Sequence, residues 1–212
     1  MIRVLLADDH TLVREGLKRI LQGSEDIEVG GEAANGMEVL SLARREDWDV
    51  VLLDMSMPGR SGIELIKQLK DEKPALRILV LTMHAEDQYA VRAFKAGAAG
   101  YLTKESAATE LVAAVYKIAA GRLYVSLAMA EQLAANLAPK TEELPHQRLS
   151  DREFDVFRRL VAGQSVSEIA ERLSLSIKTV STHKTRILQK MDMHNQTELV
   201  RYAVKQQLVE DS

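Results

Sequence analysis

Short apolar runs punctuate the first hundred residues: Val4-Leu5-Leu6-Ala7, Ile27-Glu28-Val29, Val50-Val51-Leu52-Leu53, Ile78-Leu79-Val80-Leu81 and Ala98-Ala99-Gly100-Tyr101-Leu102. Three of them are continuously apolar, the pattern of strands covered on both faces. Between the runs, apolar residues recur at helical spacing. The first such set is Leu12, Leu17, Ile20 and Leu21, and the second is Val39, Leu40 and Leu42. Ile63, Leu65, Ile66 and Leu69 follow, then Val91 and Phe94, then Leu111, Val112, Val115 and Ile118. "SGIE", Ser61 to Glu64, is a capping box that starts the third helix. Five strand–helix units in about 120 residues predict a doubly wound parallel sheet with helices on both sides.

The alternation stops at Gly121. "VSLAMAEQLAANLA", Val125 to Ala138, reads as a helix. "PKTEELPHQR", Pro139 to Arg148, holds two prolines and many charges and reads as a flexible connector. Beyond it only helical patterns appear. "LSDREFDVFRRLVAG" opens on a capping box, Ser150 to Glu153, and stops at Gly163. "SVSEIAERL" carries a second box, Ser165 to Glu168. "SLS" makes a tight turn, "IKTVSTHKTRILQKM" is a longer helix, and "NQTELVRYAVKQQLV" is boxed by Asn195 and Glu198. A short helix, a tight turn and a basic helix describe a helix-turn-helix. The expected organisation is a domain over 1–121, a linker with a helix over 122–148, and an all-α domain of four helices over 149–212.

Composition sharpens this picture in two places. The 212 residues include no cysteine, which excludes disulfides and thiolate chemistry and fits a reducing, cytoplasmic setting. No apolar run reaches the ~18 residues a membrane span needs, and "MIRVLLADDH" reads directly as a strand rather than as a signal peptide. Charge is uneven. Residues 1–148 carry 18 Lys and Arg against 22 Asp and Glu, whereas residues 149–212 carry 10 against 9. Arg172 to Lys205 alone holds seven basic residues and two acidic ones, a local patch suited to a polyanion.

In parallel sheets ligands gather at the carboxyl ends of the strands. Asp8 and Asp9 follow the first run, Asp54 the third, Thr82 the fourth and Lys104 the fifth. Three carboxylates brought together repel one another unless a cation neutralises them. Mg²⁺, a hard ion that takes one or two carboxylates and bridges to phosphate, is the natural remedy. Lys104 adds a fixed positive charge, Thr82 a hydroxyl donor, and a carboxylate can serve as nucleophile for an aspartyl phosphate. Met55, Met57 and Met83 flank the site and are expected to line it as adaptable packing. His10 and His84 lie near it, but the oxygen-rich set argues for a hard ion.

"LLADDH", "VVLLDMSMPGRSGIEL", "ILVLTMHAE" and "AGAAGYLTKE" together resemble the four signatures of the response-regulator receiver domain of two-component signalling. The resemblance covers Met1 to about Gly121 and implies a flavodoxin-like five-stranded fold. It implies that Asp54 is the phosphoacceptor. It implies that Mg²⁺ is held by Asp8, Asp9, Asp54 and the Ser56 carbonyl, that Thr82 and Lys104 engage the phosphoryl group, and that Tyr101 is the switch aromatic. The donor would be a sensor histidine kinase. A carboxylate-nucleophile phosphatase is disfavoured because "MSMPG" after Asp54 supplies no second acid. Catalysis is thus expected to stop at self-catalysed phosphotransfer and autodephosphorylation.

On the longer basic helix Val180, Ile187, Leu188 and Met191 are expected to face the core. Lys178, Ser181, Thr182, Lys184, Thr185, Arg186 and Gln189 share the opposite face, which is basic, hydroxyl-rich and free of acids. Cationic side chains there would neutralise phosphates, and Ser or Thr could touch base edges or thymine methyls. "LSDRE…VAGQSVSEIAERLSLSIKTVSTHKTRILQKM" is similar to the LuxR-type DNA-binding domain that ends regulators of the NarL/FixJ family, over about Leu149 to Val209. The resemblance implies double-stranded DNA as partner and Ser181, Thr182 and Thr185 as groove-facing positions. Lys178, Thr179, Lys184, Arg186 and Lys190 complete the expected contact set. Many relatives carry a basic residue where Ser181 stands, which shifts the burden to Lys184. His183 is expected to be packed or phosphate-bound. The expected output is release of the DNA-binding domain or homodimerisation on paired half-sites, with the linker helix and the final helix (Leu199, Val200, Ala203, Val204) as candidate interfaces. The competing reading is a phosphorelay or protein-binding regulator.

Overall fold

The computed structural model describes residues 1–58, 62–82, 87–125, 130, 144–206 and 208. The chain divides into two compact units, Met1–Leu137 and Ala138–Ser212. Of the expected helix over 125–138 only Val125 and Ala130 are among the described residues; Ser61, which opens the expected capping box of the third helix, and Met83 and His84 lie outside them.

In the first unit strands β1 (Ile2–Ala7), β2 (Ile27–Ala33), β3 (Val50–Asp54), β4 (Arg77–Thr82) and β5 (Gly100–Thr103) form one parallel sheet in the order β2-β1-β3-β4-β5. Helices α1 (Thr11–Gln22), α2 (Gly36–Arg45), α3 (Gly62–Glu72), α4 (Asp87–Ala96) and α5 (Lys104–Ala119) connect and flank the strands. The strand residues alternate between two cores. Val4, Leu6, Val50, Leu52, Leu79 and Leu81 pack with Leu17, Leu21, Leu111, Val115 and Ile118 of α1 and α5. Their neighbours Leu5, Val51, Leu53 and Val80 are equally inaccessible, which is why the runs are continuously apolar. Each such leucine contributes about 1.5–3 kcal/mol by leaving water. Asn35 caps α2 by accepting from the backbone N–H groups of Met37 and Glu38, and Thr103 caps α5 by accepting from that of Ser106.

Two expectations shift. Leu12 does not join the α1 stripe and is 86% exposed; the packed set is Val13, Leu17, Ile20 and Leu21. The reason is the 100° step of the helix, which puts Val13, not Leu12, one turn before Leu17. The fifth strand begins at Gly100 rather than Ala98, because Gly97 adopts φ +108° and the chain is still turning there. After α5 the chain doubles back along β5: the Tyr124 N–H donates to the Ala99 carbonyl (2.9 Å) and the Tyr101 N–H donates to the Tyr124 carbonyl (3.3 Å).

In the second unit a 3₁₀ turn, Pro145–Arg148, precedes α6 (Asp151–Val161), α7 (Val166–Arg172), α8 (Ile177–Met191) and α9 (Gln196–Lys205). Phe154, Phe157, Leu160, Ile169, Val180, Ile187 and Leu199 form its interior. The end of the expected connector is therefore ordered. His146 is buried, and its Nδ1 lies 2.7 Å from the Tyr202 hydroxyl of α9, so the hydrogen bond and ring packing tie the turn to this unit. Reciprocal capping boxes start α6 (Ser150, Glu153) and α7 (Ser165, Glu168). At α9 Asn195 accepts from the Glu198 N–H as expected, but the Glu198 carboxylate accepts from the His194 N–H and the Asn195 side-chain amide rather than from the Asn195 backbone N–H. The tight turn is made by Ser174 at φ +53°. Among the described residues no helix is long and apolar enough to cross a membrane.

Candidate functional site

The strand order places β1 and β3 side by side at the centre, so their carboxyl ends open into one crevice. Asp8 leaves β1 there and Asp54 ends β3, each with 1% of its surface exposed. Lys104, the first residue of α5, reaches both: its Nζ lies 2.6 Å from Asp8 Oδ2 and 3.0 Å from Asp54 Oδ2. Burial pushes the Lys104 ammonium down, but its hydrogen bonds and charge contacts with the two carboxylates outweigh this and hold its pKa above the usual lysine value. It is cationic at neutral pH. Asp9 sits further out, with 21% of its side chain exposed. Thr82 ends β4 and is buried, and Tyr101 is buried on β5 opposite Val80.

Two side chains add detail that the strand-end rule does not supply. The Ser56 hydroxyl lies 2.7 and 2.9 Å from the two Asp54 oxygens, while its backbone N–H donates to Oδ1 at 3.0 Å. This turn curls around the carboxylate, and the only signal in the sequence is a serine two residues after the acid. His10 precedes α1, and its Nδ1 lies 3.3 Å from Asp8 and 3.1 Å from Asp9. Met55 and Met57 are buried beside the site. A Cβ on Gly62 would come within 2.7 Å of the Met55 sulfur, so the start of α3 needs glycine to let Met55 pack.

Asp8, Asp9, His10 and Asp54 each offer a ligand atom, all within 4.8 Å of one another. Three carboxylates against one buried ammonium leave excess negative charge, and their oxygens suit a small hard cation. The donor set fits a divalent ion.

The second unit presents a different kind of surface. Along α8, Val180, Ile187 and Met191 are buried and Leu188 is partly covered, as a core-facing stripe requires. Lys178, Ser181, Thr182, Thr185, Arg186 and Gln189 are exposed. The rest of the expected contact set has partners within the unit. Thr179 shares a 2.8 Å hydroxyl contact with the Ser176 cap. Lys184 donates to Gln196 Oε1 at 2.7 Å. Lys190 donates to Glu153 at 2.6 Å. His183 is half-buried. In α9, Leu199 and Ala203 belong to the unit's own core, while Val204 is 45% exposed.

Comparison with known proteins covers both units. The family model "Response regulator receiver domain" matches residues 4–116, and "Bacterial regulatory proteins, luxR family" matches residues 147–203. The chain is 39% identical to the response regulator UvrY of Escherichia coli K12 over 206 residues, spanning 97% of this chain and 94% of that one. It is 38% identical to the response regulator GacA of Pseudomonas aeruginosa over 211 residues, 99% of each. Among solved structures it resembles the RcsB response regulator of Salmonella typhimurium (TM-score 0.74, 30% identity, 96% of this chain and 97% of that one). It also resembles RcsB of Salmonella enterica serovar Typhimurium bound to a promoter in the presence of the phosphomimetic BeF3− (TM-score 0.69, 30% identity, 95% and 97%).

Proposed function

Since the chain belongs to the DNA-binding response regulators of two-component signalling, a receiver domain followed by a LuxR-type domain of NarL/FixJ type, we propose that Asp54 is its phosphoacceptor and α8 its DNA-facing helix. The observation that carries the first half is the Lys104 ammonium spanning Asp8 and Asp54 at adjacent strand ends. One Asp54 oxygen attacks the phosphorus of a phosphohistidine on a sensor kinase; the bond to the imidazole nitrogen breaks and its electron pair leaves with the kinase. Asp8, Asp9, Asp54 and the Ser56 carbonyl would hold Mg²⁺, which supplies charge neutralisation between the carboxylates and the incoming phosphoryl oxygens. Lys104 then gives one of its hydrogen bonds to the phosphoryl group, and Thr82 donates another. Tyr101, buried on the neighbouring strand, is the group whose packing those movements disturb, biasing a two-state element.

The output reading rests on the exposed, acid-free face of α8. Lys178 and Arg186 neutralise phosphates, with Lys184 and Lys190 able to join once they release Gln196 and Glu153. Ser181, Thr182 and Thr185 face base edges. Two copies bound to paired half-sites would match the two-fold symmetry expected of such regulators.

The test uses the full chain with acetyl phosphate and Mg²⁺. Mass spectrometry is expected to find one phosphoryl group on the wild type and none on Asp54→Asn; labelling of the variant at the wild-type rate refutes the acceptor. Binding to random duplex is expected to weaken steeply with salt. A flat response refutes the DNA-facing helix.

A further inference from the structure

We propose that Thr182 and Thr185 read thymine through their methyl groups, not through their hydroxyls, so that adjacent thymine methyls form part of the sequence this chain selects. The inference rests on α8 being the DNA-facing helix.

Both threonines are exposed on that face. Each hydroxyl hydrogen is already spent inside the helix. Thr182 Oγ1 donates to the Lys178 carbonyl at 2.9 Å, and Thr185 Oγ1 donates to the Ser181 carbonyl at 3.1 Å. A hydroxyl has one hydrogen, so neither side chain has a donor left for DNA. The back-bond also draws the oxygen against the helix and fixes the rotamer, leaving the methyl as the group presented outward. In the major groove thymine shows an acceptor, O4, and a methyl. The acceptor has nothing to gain from a hydroxyl that cannot donate. The methyl does gain from an apolar partner, because contact removes both from water. Thr182 and Thr185 are separated by about 4.5 Å along the helix axis, close to the ~3.4 Å spacing along one DNA strand. They therefore address neighbouring base pairs.

The occupied hydroxyls separate this from the general expectation that Ser and Thr contact bases. A threonine that reads through its methyl should tolerate valine and fail as serine. One that reads through its oxygen lone pairs, accepting from adenine or cytosine amino groups, should do the reverse.

The experiment selects duplexes from a random-core library with the full chain activated by beryllofluoride and Mg²⁺. Each thymine in the selected half-site is then replaced by deoxyuridine, which removes only the methyl. Wild type, Thr182→Ser, Thr185→Ser, Thr182→Val and Thr185→Val are titrated against both duplexes, with thermal melts confirming that each variant folds. For the wild type, loss of a contacted methyl is expected to weaken binding roughly fourfold. Each serine variant is expected to bind thymine and deoxyuridine duplexes equally at its own position, and each valine variant to keep the wild-type ratio. Selected sites without thymine, serine variants that still discriminate, or valine variants that lose discrimination overturn the inference. Absence of salt-dependent binding to any duplex overturns the DNA-facing reading itself, a distinct outcome.

Discussion

Each unit sets a lysine against a buried carboxylate, and the two contacts are unlike. Lys104 sits among Asp8, Asp9 and Asp54 with 10% of its side chain exposed, one buried cation for three acids. Lys190 meets a single acid, Glu153, which also accepts the Ser150 N–H of its capping box at 2.8 Å. The first cluster carries charge its own side chains cannot neutralise, and that imbalance makes room for a cation and a phosphoryl group. The second is closed: one acid, one base and a satisfied helix start. Residue type does not tell these lysines apart. Exposure, 10% for Lys104 against 42% for Lys190, and the local balance of charge do.

The most direct way to break the comparison is to remove one acid from each cluster. Asp54→Asn is expected to abolish phosphoryl incorporation, read by mass spectrometry, while leaving the melting temperature of the receiver unchanged or raised, because it relieves repulsion. Glu153→Ala removes the capping-box acceptor of α6 and releases Lys190 to solvent. It is expected to cost about 2 kcal/mol in denaturant unfolding of the second unit. Equal destabilisation by both would erase the distinction.

Acid and base should sharpen it next. Burial pushes Glu153 up, but its bonds with Lys190 and Ser150 outweigh this and hold it below the usual carboxylate range. Its contribution is fully present above the unfolded value of 4.5 and is lost as pH falls through the lowered folded pKa. Lys104 runs the other way. Its contribution is present below 10.5 and is lost as pH rises through the raised folded pKa. Melting each unit across pH is expected to show the helical unit weakening in acid and the receiver in strong base.

Smaller effects belong to the exposed face of α8. Lys178→Ala is expected to weaken DNA binding severalfold on every sequence and to reduce the salt slope by about 1. Lys184→Ala should do less, since that ammonium is engaged by Gln196; titrations at two salt concentrations compare them. Leu12→Ser, on an 86% exposed side chain, is expected to change stability by less than about 0.5 kcal/mol.

The sheet and the residues at its strand ends were legible because both depend on short-range pattern: apolar runs place strands, and a parallel sheet aligns whatever follows them. The helix-turn-helix was legible from its caps and turn. What stayed hidden depends on partners distant in sequence or on rotamers. Nothing in the helical pattern of α8 tells that Lys190 meets Glu153, 37 residues earlier, or that Lys184 meets Gln196 of the next helix. The Ser56 hydroxyl on Asp54 and the threonine back-bonds are choices of side-chain torsion. The 3₁₀ turn over 145–148 was masked by prolines and charges that also suit a connector, its order depending on the buried His146–Tyr202 bond.

Tyr124 carries a consequence for anyone who would cut this protein apart. An outer strand with unpaired amide and carbonyl groups is a template for intermolecular sheet growth. Here the chain's own Tyr124 occupies that template beside Gly100, where a Cβ would come within 2.7 Å of Leu79 and 3.1 Å of Tyr124. Its phenol is hydrogen-bonded to Glu110 and pushed up to about 12 by burial and that bond, so it stays neutral and in place through ordinary pH. A receiver fragment ended at Gly121, where the sequence pattern breaks, would bare the Tyr101 N–H and Ala99 carbonyl to a neighbour. One ended at Val125 would keep its own seal, and sedimentation of the two fragments should separate a self-associating species from a monomer.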